Sequence, residues 1–140
     1  MRATTTSPER SDGADRPARW RRLAVPALAV WTLFVWGGRL RNLAADPDGL
    51  VGADRSTLAL SALFCLLAVM VTVGFVVRQA APVTVVLATV TVVVWLIRGA
   101  DIALGDHSAG FIAVHLALAA VSIGLAALAV RSIRYPVVDG

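Results

Sequence analysis

The chain has no lysine, one cysteine, few aromatic residues and little charge. Of its 140 residues, 16% are charged, 6% are aromatic and 58% are hydrophobic, and the mean hydropathy is +0.77. A soluble domain carries roughly 25% charged residues, so this scarcity excludes an ordinary water-soluble unit and requires the bilayer as a second apolar solvent. The lone Cys65 excludes an intrachain disulfide and any paired zinc or redox motif within one chain. Without lysine, all thirteen basic residues are arginines, and the net charge is +4. These arginines bracket apolar runs instead of gathering on a polar face, and no nucleic-acid-binding motif accompanies them. Nucleic acid is therefore not an expected partner.

Other absences remove specific chemistries. No Gly-rich phosphate loop joins a strand to a helix. No uncharged run contains a carboxylate, which argues against a proton-coupled exporter. Asp106, His107 and Ser108 are adjacent and Ser108 lies two turns from His115, so neither set forms a hydrolase triad by itself. His107 and His115 are eight residues apart, about 12 Å along a helix, too far to share a metal ion. The expectation is no enzyme, no metal and no cofactor.

Four runs without a formal charge are present, at residues 23–38, 56–77, 79–97 and 108–130. A helix needs about 20 residues to cross the hydrocarbon core. The last three runs qualify directly, and the first is lengthened by Arg22 and Arg39, whose charged ends can snorkel outward. None alternates with period two, so a transmembrane barrel is excluded. The valine-rich third run is read as a helix, because an unpaired strand in lipid leaves its backbone groups unsatisfied. The predicted architecture is an all-α bundle of four transmembrane helices at about 23–40, 56–77, 82–98 and 108–131. Residues 1–22 form an Arg-rich disordered cytoplasmic tail, 23–135 the membrane domain and 136–140 a short C-terminal tail. Pro26 and Pro82 suit the first turns of helices one and three. Asp106 or Ser108 can cap the start of helix four.

With the N-terminus inside, nine arginines fall on the inner side and four on the outer side, the latter accompanied by five aspartates. The positive-inside rule then predicts both termini in the cytoplasm. The basic tail before an apolar run also has the outline of a signal peptide, with Arg21-Arg22 as a twin arginine. Arg39 and Arg41 directly after the run favour its retention as a helix.

Helices one and three end in a shared phrase, Trp-x-x-Arg-x-x-(Asn/Asp), at Trp36–Arg39–Asn42 and Trp95–Arg98–Asp101. The shared phrase suggests two helical hairpins repeated in the same orientation. The structural reading of the phrase is an interfacial aromatic belt with an arginine one turn further out. The functional reading is an outer polar layer of Arg39, Arg41, Asn42, Arg98, Asp101, Asp106 and His107, held by Arg–Asp pairs or open to a ligand. His115 is the one ionisable residue deep in an apolar run, about 10 Å below the start of helix four. Ser108, His115 and Ser122 are spaced by sevens and share one face, the candidate intramembrane polar stripe. The structural reading of His115 is a hydrogen bond across to another helix. Small residues at Ala113, Ala117, Ala120, Gly124 and Ala127 mark the expected tightest seam of helix four.

The chain resembles a group of small four-helix integral membrane proteins of high-GC actinobacteria that have no assigned activity. The resemblance runs from about Trp31 to Arg131. It rests on Trp36-Gly37-x-Arg39-x-Arg41-Asn42, on Trp95-x-x-Arg98-Gly99, and on Gly105-Asp106-His107-Ser108-x-Gly110-Phe111-x-x-Val114-His115. It implies a four-helix fold in the bacterial plasma membrane and brings no catalytic residues. The expected role is non-enzymatic: helix packing, as a self-associating protein or as an accessory subunit of an envelope complex. Membrane lipids, a second copy or another membrane protein are the expected partners. The alternatives are a small oligomeric transporter or channel using the outer Arg/Asp layer and His115, and a haem or quinone site at a dimer seam.

Overall fold

The computed structural model describes the backbone of residues 16–46 and 55–134, and the side chains of residues 23–46 and 55–134. The first element is a composite rod made of α1 (Arg16–Thr32), a π turn (Leu33–Gly37) and α2 (Gly38–Ala45). It is followed by α3 (Arg55–Val76), α4 (Ala81–Leu104) and α5 (Ala109–Arg134). Among the described residues all regular structure is helical. Four segments are long and apolar enough to cross a membrane: Leu23–Ala45, Arg55–Val76, Ala81–Leu104 and Ala109–Arg134. The predicted all-α, four-span architecture is what the chain adopts.

The rod packs beside α3 and α5, and α4 packs beside α3 and α5, so the four spans close into a ring in chain order. This is the up-down-up-down arrangement that short links produce. The end at which α2 stops and α5 begins is called the distal end below.

Two boundaries differ from expectation. Helix α1 starts at Arg16, so residues 16–22 continue the helix where a tail was predicted; residues 1–15, 47–54 and 135–140 lie outside the described residues. Pro26 consequently sits inside α1 and not in its first turn, which leaves the carbonyl of Arg22 without its usual helical donor. Helix α4 runs six residues past the predicted end at 98, so Asp101 is helical. Pro82 does occupy the first turn of α4.

The π turn explains how the rod keeps one face inward. Leu28, Thr32 and Trp36 are all buried and are spaced by fours, and four α-helical residues overshoot a full turn by about 40°. The wider π turn absorbs an extra residue and carries Trp36 back over the core. Trp36 is only 4% exposed, whereas Phe34, two residues earlier, is 69% exposed.

The link between α3 and α4 is a tight C-cap. Gln79 N–H donates to the Gly74 carbonyl at 2.7 Å and Arg78 N–H to the Phe75 carbonyl at 3.3 Å, the paired bonds of a Schellman motif. Arg78 takes the left-handed position there, with φ 59°. A Cβ on Gly74 would lie 3.0 Å from the Ala80 Cα, so a larger residue there would press on the returning backbone.

Leu28, Phe64, Val71, Leu87 and Ala126 are fully buried and come from all four spans. The polar residues on their inner faces mostly satisfy themselves locally. The hydroxyls of Thr32, Ser61, Thr84 and Ser122 each donate to the carbonyl four residues back, at 2.7–2.8 Å. Among the described residues one side-chain bond crosses between spans: Trp31 Nε1–H donates to Ser122 Oγ at 2.9 Å. Thr91 is 2% exposed, and its Oγ1 has no hydrogen-bond partner.

Candidate functional site

At the distal end the rod, α4 and α5 diverge and leave a cleft of about 710 Å³. Its mouth is polar: Arg39 and Asn42 come from α2, Arg98 from α4, and His107 from the link before α5. Deeper in, the walls become apolar, with Phe34 and Val35 of the π turn facing Phe111 and Leu118 of α5, and Trp36 and Trp95 at the back. His115 lies between the two zones. Beneath, the interior is filled by the fully buried Leu28, Val71 and Leu87, so the cleft does not continue as a pore through one bundle.

An aromatic group forms the back wall. Trp36 stacks on Phe64 with ring centroids 4.3 Å apart and planes within 4°, and Trp95 meets Trp36 at 6.5 Å, tilted by 56°. The Arg98 guanidinium carbon stands 5.8 Å from the Trp36 ring centroid, within cation–π range. The predicted belt is corrected here: both tryptophans are buried and meet each other between the two hairpins. The arginine over Trp36 comes from the other Trp-x-x-Arg phrase, not its own. Burying both rings removes more apolar surface than an interfacial position would, and it leaves their flanking arginines converging on one space.

Arg39 and Arg98 are close enough for their charges to act on one another. Asp101 and Asp106 are exposed and do not line the cleft, and Arg41 is also exposed and outside it. Of the predicted layer, the structure thus brings together Arg39, Asn42, Arg98 and His107, adds His115, and leaves Arg41, Asp101 and Asp106 facing outward. Asp46 lines the cleft as well.

Helix α5 sets the far wall. Ser108 Oγ accepts from Phe111 N–H at 3.4 Å, capping the helix as its position predicts. Gly105 allows the preceding turn, since a Cβ there would lie 2.9 Å from the Asp101 carbonyl oxygen. The rings of His107, Phe111 and His115 follow one another with centroids 4.9 and 4.0 Å apart. His115 Nδ1 bonds the Phe111 carbonyl of its own helix at 2.9 Å, which replaces the expected bond to another helix. A carbonyl oxygen only accepts, so this bond places a proton on Nδ1 and, in the neutral ring, leaves Nε2 an acceptor. The predicted stripe runs from the exposed cap at Ser108, through half-buried His115, to buried Ser122 against Trp31.

The small-residue face of α5 turns the other way. Ala113, Ala117, Ala120, Gly124 and Ala127 are all exposed, and the face packed into the bundle is Ala119, Ser122, Ala126 and Ala129. The expected seam is therefore not inside this bundle. Trp31 on the facing rod bonds Ser122, which holds that face of α5 toward the bundle.

Sequence reasoning did not find Phe34, Gly38, Ile102 or Leu118 as parts of the site. The only signal was Gly37-Gly38, a pair that weakens regular helix, because hydrophobic periodicity cannot register a π turn. Among the described residues no three of His, Cys, Asp and Glu gather where they could hold a metal ion. Comparison with protein-family models, with curated proteins and with solved structures found no match for this chain.

Proposed function

We propose that this is a non-enzymatic multi-pass protein of the bacterial plasma membrane, with both termini cytoplasmic, that works through helix packing with a second copy of itself along α5. The arginine distribution supports the orientation and the resemblance supports the membrane. The observation that carries self-association is the outward turn of the small-residue face on the least buried span. Only 17% of the most apolar stretch of α5 is buried, against 28–33% for the other three spans, and a Cβ on Gly124 would meet nothing within 4 Å. A face of small residues lets two helix backbones approach closely, where dispersion and weak hydrogen bonds replace the missing hydrophobic drive.

Cysteine crosslinking in native membranes tests the proposal. In a Cys65→Ser background, Gly124→Cys is expected to give a disulfide-linked dimer, and Val93→Cys on the exposed side of α4 is expected to remain monomeric. On blue-native gels Gly124→Leu is expected to shift the parent dimer to monomer. A monomer from the parent and no crosslink from Gly124→Cys overturn it.

A second reading, transport, draws on the cleft. Since the bundle interior is filled, a transported solute would have to pass along the oligomer seam. Flux into proteoliposomes that falls with His115→Ala supports that reading, and no flux above empty vesicles removes it.

A further inference from the structure

The self-association proposal leaves the cleft and its histidine unused. The mouth carries charges of both signs, Arg39 and Arg98 with Asp46, so the part below it is what selects an occupant. There the polar group on the wall is His115, about 10 Å along α5 from Ser108. Its Nδ1 is bonded to the Phe111 carbonyl at 2.9 Å. A carbonyl oxygen only accepts, so the proton of the neutral ring stands on Nδ1 and Nε2 is an acceptor. An acceptor set among apolar side chains favours a ligand that brings its own donor.

The surroundings of His115 are aromatic. The rings of His107, Phe111 and His115 follow one another with centroids 4.9 and 4.0 Å apart, and Phe34, Trp36 and Trp95 also line the cleft. Such π surfaces favour a flat ring, packed offset or edge to face. Phe34 and Phe111 are 69% and 43% exposed, so the apolar part opens sideways, where the hydrocarbon of a bilayer lies. A ligand that enters there is lipid-soluble. A volume near 710 Å³ falls in the range of sites that enclose an organic ligand. A saturated acyl chain would fill the slot but would offer His115 no donor.

We propose that this cleft binds a lipid-soluble hydroquinone from the bilayer, with its ring among Phe34, Phe111 and Trp95, one hydroxyl donating to His115 Nε2 and its apolar tail leaving sideways. The corresponding quinone carries only carbonyl oxygens, which accept as Nε2 does, so the site selects the reduced form. Phe111, His115 and Leu118 lie on the side of α5 opposite its small-residue face, so the proposal stands or falls independently of self-association.

The test uses full-length protein in phosphatidylcholine nanodiscs and tritium-labelled decylbenzoquinol under reducing conditions, with empty nanodiscs to subtract partition into lipid. Saturable binding of the quinol to the protein is expected. Its dimethyl ether, which keeps ring and tail but has no donor, is expected to bind about fivefold more weakly, the weight of one hydrogen bond. The quinone, assayed without reductant, is expected to be weaker by about the same factor. His115→Phe keeps an aromatic ring and loses the acceptor, so it is expected to bind quinol and ether within about twofold of each other. His115→Gln retains a side-chain acceptor and is expected to keep part of the preference, which covers the case where His115→Phe fails to fold. Phe34→Ala at the lateral opening is expected to weaken quinol and ether together, by about threefold. Equal binding of quinol and ether by the parent, or a preference for quinol that survives His115→Phe, overturns the proposal. So does uptake no greater than that of empty nanodiscs.

Discussion

The two ends of this bundle solve the problem of polar groups in lipid differently. At the end near the chain termini, the α3–α4 link closes its carbonyls with a Schellman motif, and Thr84 returns its hydroxyl to the Ala80 carbonyl. The residues between are aliphatic or small and fully buried, as at Val71, Leu87 and Ala126. At the distal end the helices separate, aromatic rings replace aliphatic chains, and Arg39 and Arg98 line a cleft. Backbone and hydroxyl groups can be satisfied within one helix, so an end built from them can close. Guanidiniums cannot be satisfied that way, and the end that holds two of them stays open.

This contrast can be broken at its closed side. Leu87→Ala removes a fully buried side chain at the centre of the packing. In lipid the loss is mainly of contacts, not of shelter from water, so a destabilisation of about 2 kcal/mol is expected, the lower end of the range for Leu→Ala. Thermal unfolding in mild detergent measures it, and an unchanged midpoint would show that the closed half is not tightly packed.

The same substitution placed at both ends sharpens the contrast. Gly74→Ala puts a Cβ 3.0 Å from a backbone atom at Ala80 and is expected to cost about 1–2 kcal/mol through strain. Gly38→Ala meets nothing within 4 Å, and its higher helix propensity is expected to stabilise by up to about 1 kcal/mol. Opposite signs in the same melting assay support a closed end and an open one, and equal signs remove the distinction.

The smallest effect is expected at Thr91, on the inner face of α4 one turn from Trp95. Its hydroxyl is buried without a partner, and a buried unsatisfied group is costly. Thr91→Val keeps the shape and removes that group, so the midpoint should rise by the equivalent of about 1 kcal/mol. A drop would mean that the hydroxyl is bonded in the folded protein.

How much was legible in the chain depends on the range of the interaction. Ser108 as a cap and Pro82 in a first turn are local matters of hydrogen bonding and fixed φ, and both were readable from a few neighbouring residues. Arg39, Asn42, Arg98 and His107 were readable as one layer, because helix length places them at similar depth. Their separation from Arg41, Asp101 and Asp106 was not, since depth along a helix does not specify rotation about it. Rotation also decides which small residues of α5 enter the bundle: Ala119 is buried and Ala120 exposed although they are equally small, and only the neighbouring helices choose between them.

The sequence by itself determined that the chain is all helical and that its helices can span a bilayer, because scarce charge and long apolar runs depend only on composition and on the need of each backbone to bond within its own segment. The tertiary structure alone decided which faces meet. It added a π turn that returns Trp36 to the core, brought Arg98 over a tryptophan from the other hairpin, turned the small face of α5 outward, and opened a cleft beside two arginines. In lipid, association between helices depends on fit and close contact more than on hydrophobicity, and fit is settled only when all four surfaces are together.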